Sequence, residues 1–182
     1  MKTILITVAG GIVLSAFSVR AATVEIDPAR SRIQVDAKAT GHAFTGNLQK
    51  FTVKAEGDAT TAKPTKLELS WDFNDLKTGD EKRDVEMIKW LGGGKPKGTF
   101  SFDKSWDEKS DGGSAQGSLT MNGASKTLGF HYTVKHEGGW VTIDGKAGMD
   151  YQNFKLPLIR SMAVMTVDPQ LMVRFHLVGK VK

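Results

Sequence analysis

The side chains able to do chemistry in this chain are few and scattered. There are four histidines and no cysteine, which excludes a lipobox, a thiolate metal site, a cysteine nucleophile and a disulfide framework. His42 sits between two turn-forming regions, His131 and His176 alternate with apolar strand residues, and His136 lies at a hairpin end. None stands at metal-ligand spacing from another, whereas zinc needs three or four convergent ligands, so no metal site is expected. His42 is the histidine selected for ligand contact. The carboxylates Asp80, Glu81 and Asp84 crowd the start of a helical segment, where compensation of the helix dipole accounts for them better than acid-base catalysis. No Gly-x-Ser-x-Gly elbow is present. Gly92 to Gly94 follow the helical segment rather than precede one, so they read as a helix stop and not as a phosphate cradle. The chain is expected to have no catalytic residues and no cofactor.

The elements around these residues are mainly strands. Ile33, Val35, Ala37 and Ala39 alternate with Gln34, Asp36, Lys38 and Thr40, the period of a pleat with one buried face. Leu67, Leu69, Trp71 and Phe73 repeat the pattern, as do Phe100 and Phe102, then Leu171, Val173, Phe175 and Leu177 against Met172, Arg174 and His176. Asn122-Gly123 marks a hairpin between Met121 and the strand carrying Leu128, Phe130, Tyr132 and Val134, as either a tight or a longer turn. Gly138-Gly139 marks a second hairpin, into Val141 and Ile143, and Asp107 to Gly113 reads as a solvated hairpin loop. One segment breaks the rhythm. From Asp80 to Leu91, acids in the first turn, Val85, Ile88 and Leu91 at helical spacing and a glycine stop predict a short amphipathic helix. About eight strands with one inserted helix, able to plug or cap them, predict an all-β, closed antiparallel barrel, because closure removes exposed strand edges.

Length predicts one domain. Lys2, an apolar run from Ile4 to Phe17 and the small residues about Ala21 have the form of a secretory leader. Residues 1–21 are therefore expected to be a cleaved signal peptide and 22–182 a single domain exported to the periplasm. The leader is too short for a membrane span. Removing Lys2 and Arg20 lowers the formal charge from +5 to about +3. Lysines that alternate with acids, as from Lys77 to Lys89, argue against a nucleic-acid partner. No integral membrane segment is expected in the mature chain, while transient membrane contact and a homodimer remain open.

Four segments, in order, resemble the YceI-like family: Val24-Glu25-Ile26-Asp27-Pro28 with Ser31; Gly41-His42-Ala43-Phe44-Thr45-Gly46 with Phe51; Thr78 to Asp84; and Gly117 to Lys126. The resemblance runs from about Thr23 to Lys182. It implies a lipocalin-like barrel that holds a long amphiphilic lipid, a polyisoprenoid or quinone-like molecule, without catalytic residues. The chain departs from the family pattern after the Arg83-Asp84 pair, where Glu86 follows Val85 and Trp90-Leu91-Gly92 replaces an aromatic stretch.

A small barrel lined by alternating apolar side chains either fills itself or encloses one slender apolar molecule. The two outcomes correspond to a lipid carrier for binding, transport or storage, and to an exported filled barrel that acts through its surface as an interaction or adhesion module. For the carrier, Trp71, Phe100, Phe102, Phe130, Tyr132, Met149 and Phe175 are the expected wall residues, with Ile88 and Trp90 from the helix side. The apolar stretch from Phe154 to Val167 lacks clean alternation. It reads as a core connection or as a flexible lip with Arg160 facing a polar or anionic head group.

Overall fold

The computed structural model describes residues 21–58, 64–109, 111–161 and 165–182. The expected leader falls on residues that, apart from Ala21, lie outside these. Eight staves form the barrel, and the first three are broken. β1 (Ala21–Ile26) continues past a turn as β2 (Arg32–Ala39), β3 (His42–Leu48) continues as β4 (Thr52–Asp58), and β5 (Pro64–Asp72) continues through a 3-10 turn, Phe73–Asp75, as β6 (Leu76–Lys77). After the helix α1 (Glu81–Trp90) come four long strands, β7 (Lys97–Lys109), β8 (Gly112–Met121), β9 (Ala124–Glu137) and β10 (Trp140–Asp150). A 3-10 turn at Tyr151–Phe154 and a small hairpin of β11 (Arg160–Ser161) with β12 (Met165–Thr166) then lead to the closing strand β13 (Gln170–Val181).

Closure rests on β13. Its outer neighbour is β2 from Met172 to His176 and then β1 from Gly179 to Val181. β1 in turn pairs with β4, so the ladder β1-β4-β5-β7-β8-β9-β10-β13 returns on itself as an eight-stranded antiparallel barrel. Two of the three breaks have a local cause. At the first, Asp27 Oδ1 accepts from the backbone N–H groups of Ala29 and Arg30, an Asx turn beside Pro28 that bends the chain out of the ladder. At the third, Asp72 accepts from Asn74 N and caps the 3-10 turn.

The alternation expected from the sequence places apolar side chains inside and charges outside. Register fixes both hairpins as two-residue turns. Met121 pairs with Ala124 across Asn122 (φ 49°) and Gly123 (φ 66°), and Glu137 pairs with Trp140 across Gly138 (φ 56°) and Gly139 (φ 81°). Positive φ at both central residues is the turn whose twist matches the strands. The segment from Asp107 to Gly113 lies in the hairpin between β7 and β8, with Asp107, Glu108, Lys109 and Asp111 exposed, and strand pairing reaches into it. β7 and β8 stay paired from Trp106–Ser114 to Lys109–Gly112 with a shift of register, because backbone pairing beyond the barrel rim needs no apolar face.

The helix forms where expected. Asp80 is its N-cap and accepts from Arg83 N at 3.1 Å, while the N–H groups of Leu91, Gly92 and Gly93 close its last turn. Its apolar stripe is only partly used: Leu91 is buried, Ile88 packs against the core, and Val85 remains 53% exposed. Asp84 does more than balance the helix dipole, because it is buried and accepts from both Thr78 N (3.0 Å) and Thr78 Oγ1 (2.7 Å).

Candidate functional site

The barrel is hollow. A cavity of about 1270 Å³ runs inside it, with walls drawn from the inward residues of all eight staves and from α1. Along β13 the wall extends from Leu171 to Leu177, a strand length of roughly 20 Å. At the lower end, away from α1, the packed cluster of Ala115, Tyr132, Val134 and Val141 forms a floor. At the upper end the opening lies among α1, the β2–β3 hairpin and the connection that carries Leu158, Ile159 and Arg160.

Glycines help to keep the space open. A Cβ on Gly98 would collide with the Trp71 indole, one on Gly117 with the Phe100 ring, and one on Gly145 with the Phe175 ring. Gly98 and Gly145 stand directly opposite their aromatic partners in the ladder. Without side chains at these positions, the large rings lie back against the wall, the close-approach use of glycine within a strand. The rings also brace one another. Phe130 meets Phe100 and Phe175 edge-on, with centroids 5.9 and 5.5 Å apart, and lies 6.3 Å from Tyr132, which are favourable aromatic geometries.

The upper end is joined by contacts between distant segments. Trp90 packs edge-on against Tyr151 at 5.0 Å and donates its indole N–H to Pro157 O at 2.9 Å. Tyr151, with 0% exposure, donates to Val167 O and accepts from Ile159 N. Burial pushes its phenol above the ordinary tyrosine range. Arg83 lies 4.1 Å from the centre of the Phe44 ring, a cation–π contact that ties α1 to β3, with Asp80 at 3.6 Å on its other side. The Asp80 carboxyl is held low chiefly by the Arg83 backbone N–H. Acids and bases are balanced at this rim, since Lys89 also pairs with Glu86 at 2.7 Å.

Of the residues selected from sequence, Trp71, Phe100, Phe102, Phe130, Tyr132, Met149 and Phe175 line the cavity from the barrel, and Trp90 lines it from α1. His42 and Arg160 stand at the rim. Ile88 is absent from the cavity wall and packs against the core instead; the helical spacing that selected it marks the face turned toward protein. The connection from Phe154 to Val167 combines both readings, with Phe154 and Leu156 buried as core while Leu158, Ile159 and Arg160 border the opening. Met162, Ala163 and Val164 lie outside the described residues. Sequence reasoning passed over Ile33, Val35, Leu69, Leu119 and Val173 as wall residues, although Leu69 shares strand parity with Trp71 and Val173 with Phe175. It also passed over Arg83 and Phe44, whose contact spans too much sequence to leave a local pattern. Among the described residues, no group of three or more His, Asp or Glu side chains is placed to hold a metal ion. No helix among them is long and apolar enough to cross a membrane.

A closed antiparallel barrel with a large apolar lumen and a helix across one end defines a class of cavity-bearing β-barrel proteins. The pattern of the YceI-like domain matches residues 24–179, and the chain belongs to that family. The fold is similar to that of BcnA from Burkholderia cenocepacia, with a TM-score of 0.71 at 19% identity over 85% of this chain and 99% of that one. It is also similar to a polyisoprenoid binding domain from Saccharophagus degradans implicated in plant cell wall breakdown, with a TM-score of 0.58 at 11% identity over 89% of this chain and 98% of that one. A third similar structure is the YCEI protein of Campylobacter jejuni, with a TM-score of 0.59 at 18% identity over 75% of this chain and 84% of that one. No curated protein sequence matches the chain.

Proposed function

We propose that this chain is an exported, periplasmic carrier that binds, transports or stores a long amphiphilic lipid, polyisoprenoid or quinone-like, in the lumen of its barrel. The observation that carries the reading is the cavity itself. At about 1270 Å³ it exceeds the roughly 300–1,000 Å³ typical of small-molecule pockets, and its walls are mainly aliphatic and aromatic, with charged residues at the α1 end. The likeness of the fold to a polyisoprenoid binding domain supports the same class of ligand. A self-filled barrel that acts only through its surface is disfavoured by the hollow interior, since packed cores leave few voids larger than a water molecule. The amino-terminal leader pattern supports export. His42 and Arg160 flank the mouth through which the ligand passes.

The test is native mass spectrometry of the protein purified from a bacterial periplasm without detergent, followed by organic extraction of any released mass. A stoichiometric long-chain lipid is the expected result. A bare protein that also ignores added quinones and polyprenyl lipids overturns the reading in favour of a surface-acting barrel.

A further inference from the structure

Among the tryptophan and tyrosine side chains of the lumen, one stands apart. Four aromatic residues with a polar handle line the cavity: Trp71, Trp90, Tyr132 and Tyr151. Trp90 donates its indole N–H to Pro157 O. The Tyr151 hydroxyl is satisfied twice, by Val167 O and Ile159 N, and Tyr132 has an interaction of its own. The Trp71 indole N–H has no acceptor among the described residues, and no side-chain nitrogen or oxygen that is fully enclosed by protein lacks a partner. This N–H is therefore open to the space beside the ring. An indole nitrogen can only donate, and an indole N–H that a ligand would bury usually needs an acceptor. The indoles of Trp106 and Trp140 differ. Trp106 is exposed, and Trp140 stacks under Arg30 on the outer surface, where water serves.

The position of Trp71 is fixed. Its ring lies over Gly98, which leaves no room for a Cβ, and edge-on to Phe73 at 5.7 Å. Register places it opposite Gly98, one pair from the Asp72–Lys97 end of the β5–β7 ladder. That is the α1 end of the lumen. The floor, by contrast, is bordered by Phe102, Ile143 and Phe175.

We propose that the Trp71 indole N–H donates a hydrogen bond to an oxygen of the bound ligand. The ligand is then an amphiphile with an acceptor oxygen near one end, a hydroxyl, carbonyl or ether, seated with that end toward α1 and its hydrocarbon tail toward the floor. This inference rests on the carrier reading above and adds a chemical class and an orientation to it. An all-carbon chain of the same length would fill the lumen and leave the donor unpaired.

The experiment compares a polyprenol with squalene, an isoprenoid hydrocarbon, on the wild-type protein and on Trp71→Phe, which keeps an aromatic ring and removes the donor. Loss of one net hydrogen bond is expected to weaken polyprenol binding by about five- to tenfold, beyond any change common to both lipids. On the wild-type protein labelled with 15N at its indoles, the resonance that is missing from Trp71→Phe should shift on addition of polyprenol and stay in place with squalene. Equal weakening of both lipids, or an indole resonance that responds equally to both, overturns the hydrogen bond while leaving the carrier reading intact. Failure of the wild-type protein to bind either lipid overturns both.

Discussion

The two ends of the barrel are built by different means. At the lower end, β9 and β10 join through a two-residue glycine turn, and the floor is packed by Ala115, Tyr132, Val134 and Val141 from three consecutive strands. At the upper end, the contacts that hold the structure together reach across the chain. Trp90 bonds to Pro157, 67 residues away, and Thr40 bonds to Thr166, 126 residues away. The floor cluster itself comes from neighbouring strands, although the barrel closes at that level through β1 and β13, which are far apart in sequence. The upper end is an assembly of a helix, a hairpin and a long connection, each held by a few specific bonds, and the mouth of the cavity lies within that assembly. The cavity opens among these segments, so an exchange path for a large ligand is expected at the upper end.

The wall glycines connect the two ends, and substituting them produces the largest effects. Gly117→Ala sets a methyl group against the Ser101 carbonyl as well as the Phe100 ring. The backbone cannot swing aside, so a loss of stability toward the upper part of the about 1–3 kcal/mol of overpacking is expected, seen in chemical denaturation. Gly145→Ala meets only the Phe175 ring, which has the open lumen to move into. Its melting temperature should fall less, while its lipid load in native mass spectrometry should fall more. If the two variants lose stability and lipid in the same proportion, the rings do not set the shape of the lumen.

A bond that serves only the upper end sharpens the comparison. Asp84 is 9% exposed and holds both polar groups of Thr78 at the entrance to α1. Asp84→Ala leaves the part-buried Thr78 N–H without its acceptor and the Thr78 hydroxyl with only its longer bond to Asp80 O, at 3.4 Å, a cost of about 1–2 kcal/mol. Hydrogen exchange should rise in residues 78–91 and stay unchanged in β9 and β10; a uniform rise would mean that the helix and the barrel unfold as one unit.

Tyr151 provides an effect of similar size with a pH signature. Tyr151→Phe removes two hydrogen bonds but keeps the ring against Trp90, for about 1–2 kcal/mol. Because burial raises the phenol's pKa above the ordinary tyrosine value of about 10, the neutral phenol is favoured in the folded state. Its contribution is complete below about pH 10 and is lost as pH rises through the folded value. Thermal melts should therefore show an alkaline loss of stability that is smaller in Tyr151→Phe than in the wild-type protein. Identical alkaline profiles would remove the phenol as its source.

The same contrast explains what was legible in the sequence. The barrel could be read because period-two alternation along each strand is a local signal, and register then carries Phe100, Phe130 and Phe175 into one cluster. The Asn122-Gly123 turn was ambiguous because both lengths satisfy the same residues; pairing of Met121 with Ala124 decides it. Ile88 was misplaced because helical spacing identifies an apolar face without saying whether that face meets a cavity or a core. The Trp71 donor could not be read at all. Its significance depends on which other polar groups in the lumen are already satisfied, and that is a property of the closed barrel.

The outer face supplies the smallest effect and a control for the others. Arg174 grips Asp36 with two bonds, Nε to Oδ2 at 2.6 Å and a terminal N–H to Oδ1 at 2.7 Å, and Thr45 Oγ1 adds a third at 2.7 Å. The pair clips β13 to β2 just before β13 passes from β2 to β1. Chiefly because of the Arg174 hydrogen bond, the Asp36 carboxyl is held below its ordinary value. A depressed carboxylate stabilises the fold above its unfolded pKa of about 3.9 and loses that contribution as pH falls through the lower folded value. Both side chains are partly exposed, and solvent screening limits the pair to under about 1 kcal/mol. Arg174→Ala should therefore melt slightly below the wild-type protein near neutral pH, and the gap should close once acid has protonated Asp36 in both. Because the pair lies outside the barrel, lipid load should be unaffected. A gap that persists in strong acid would assign the loss to packing of the arginine stem, and a reduced lipid load would show that the outer face helps to set the dimensions of the lumen.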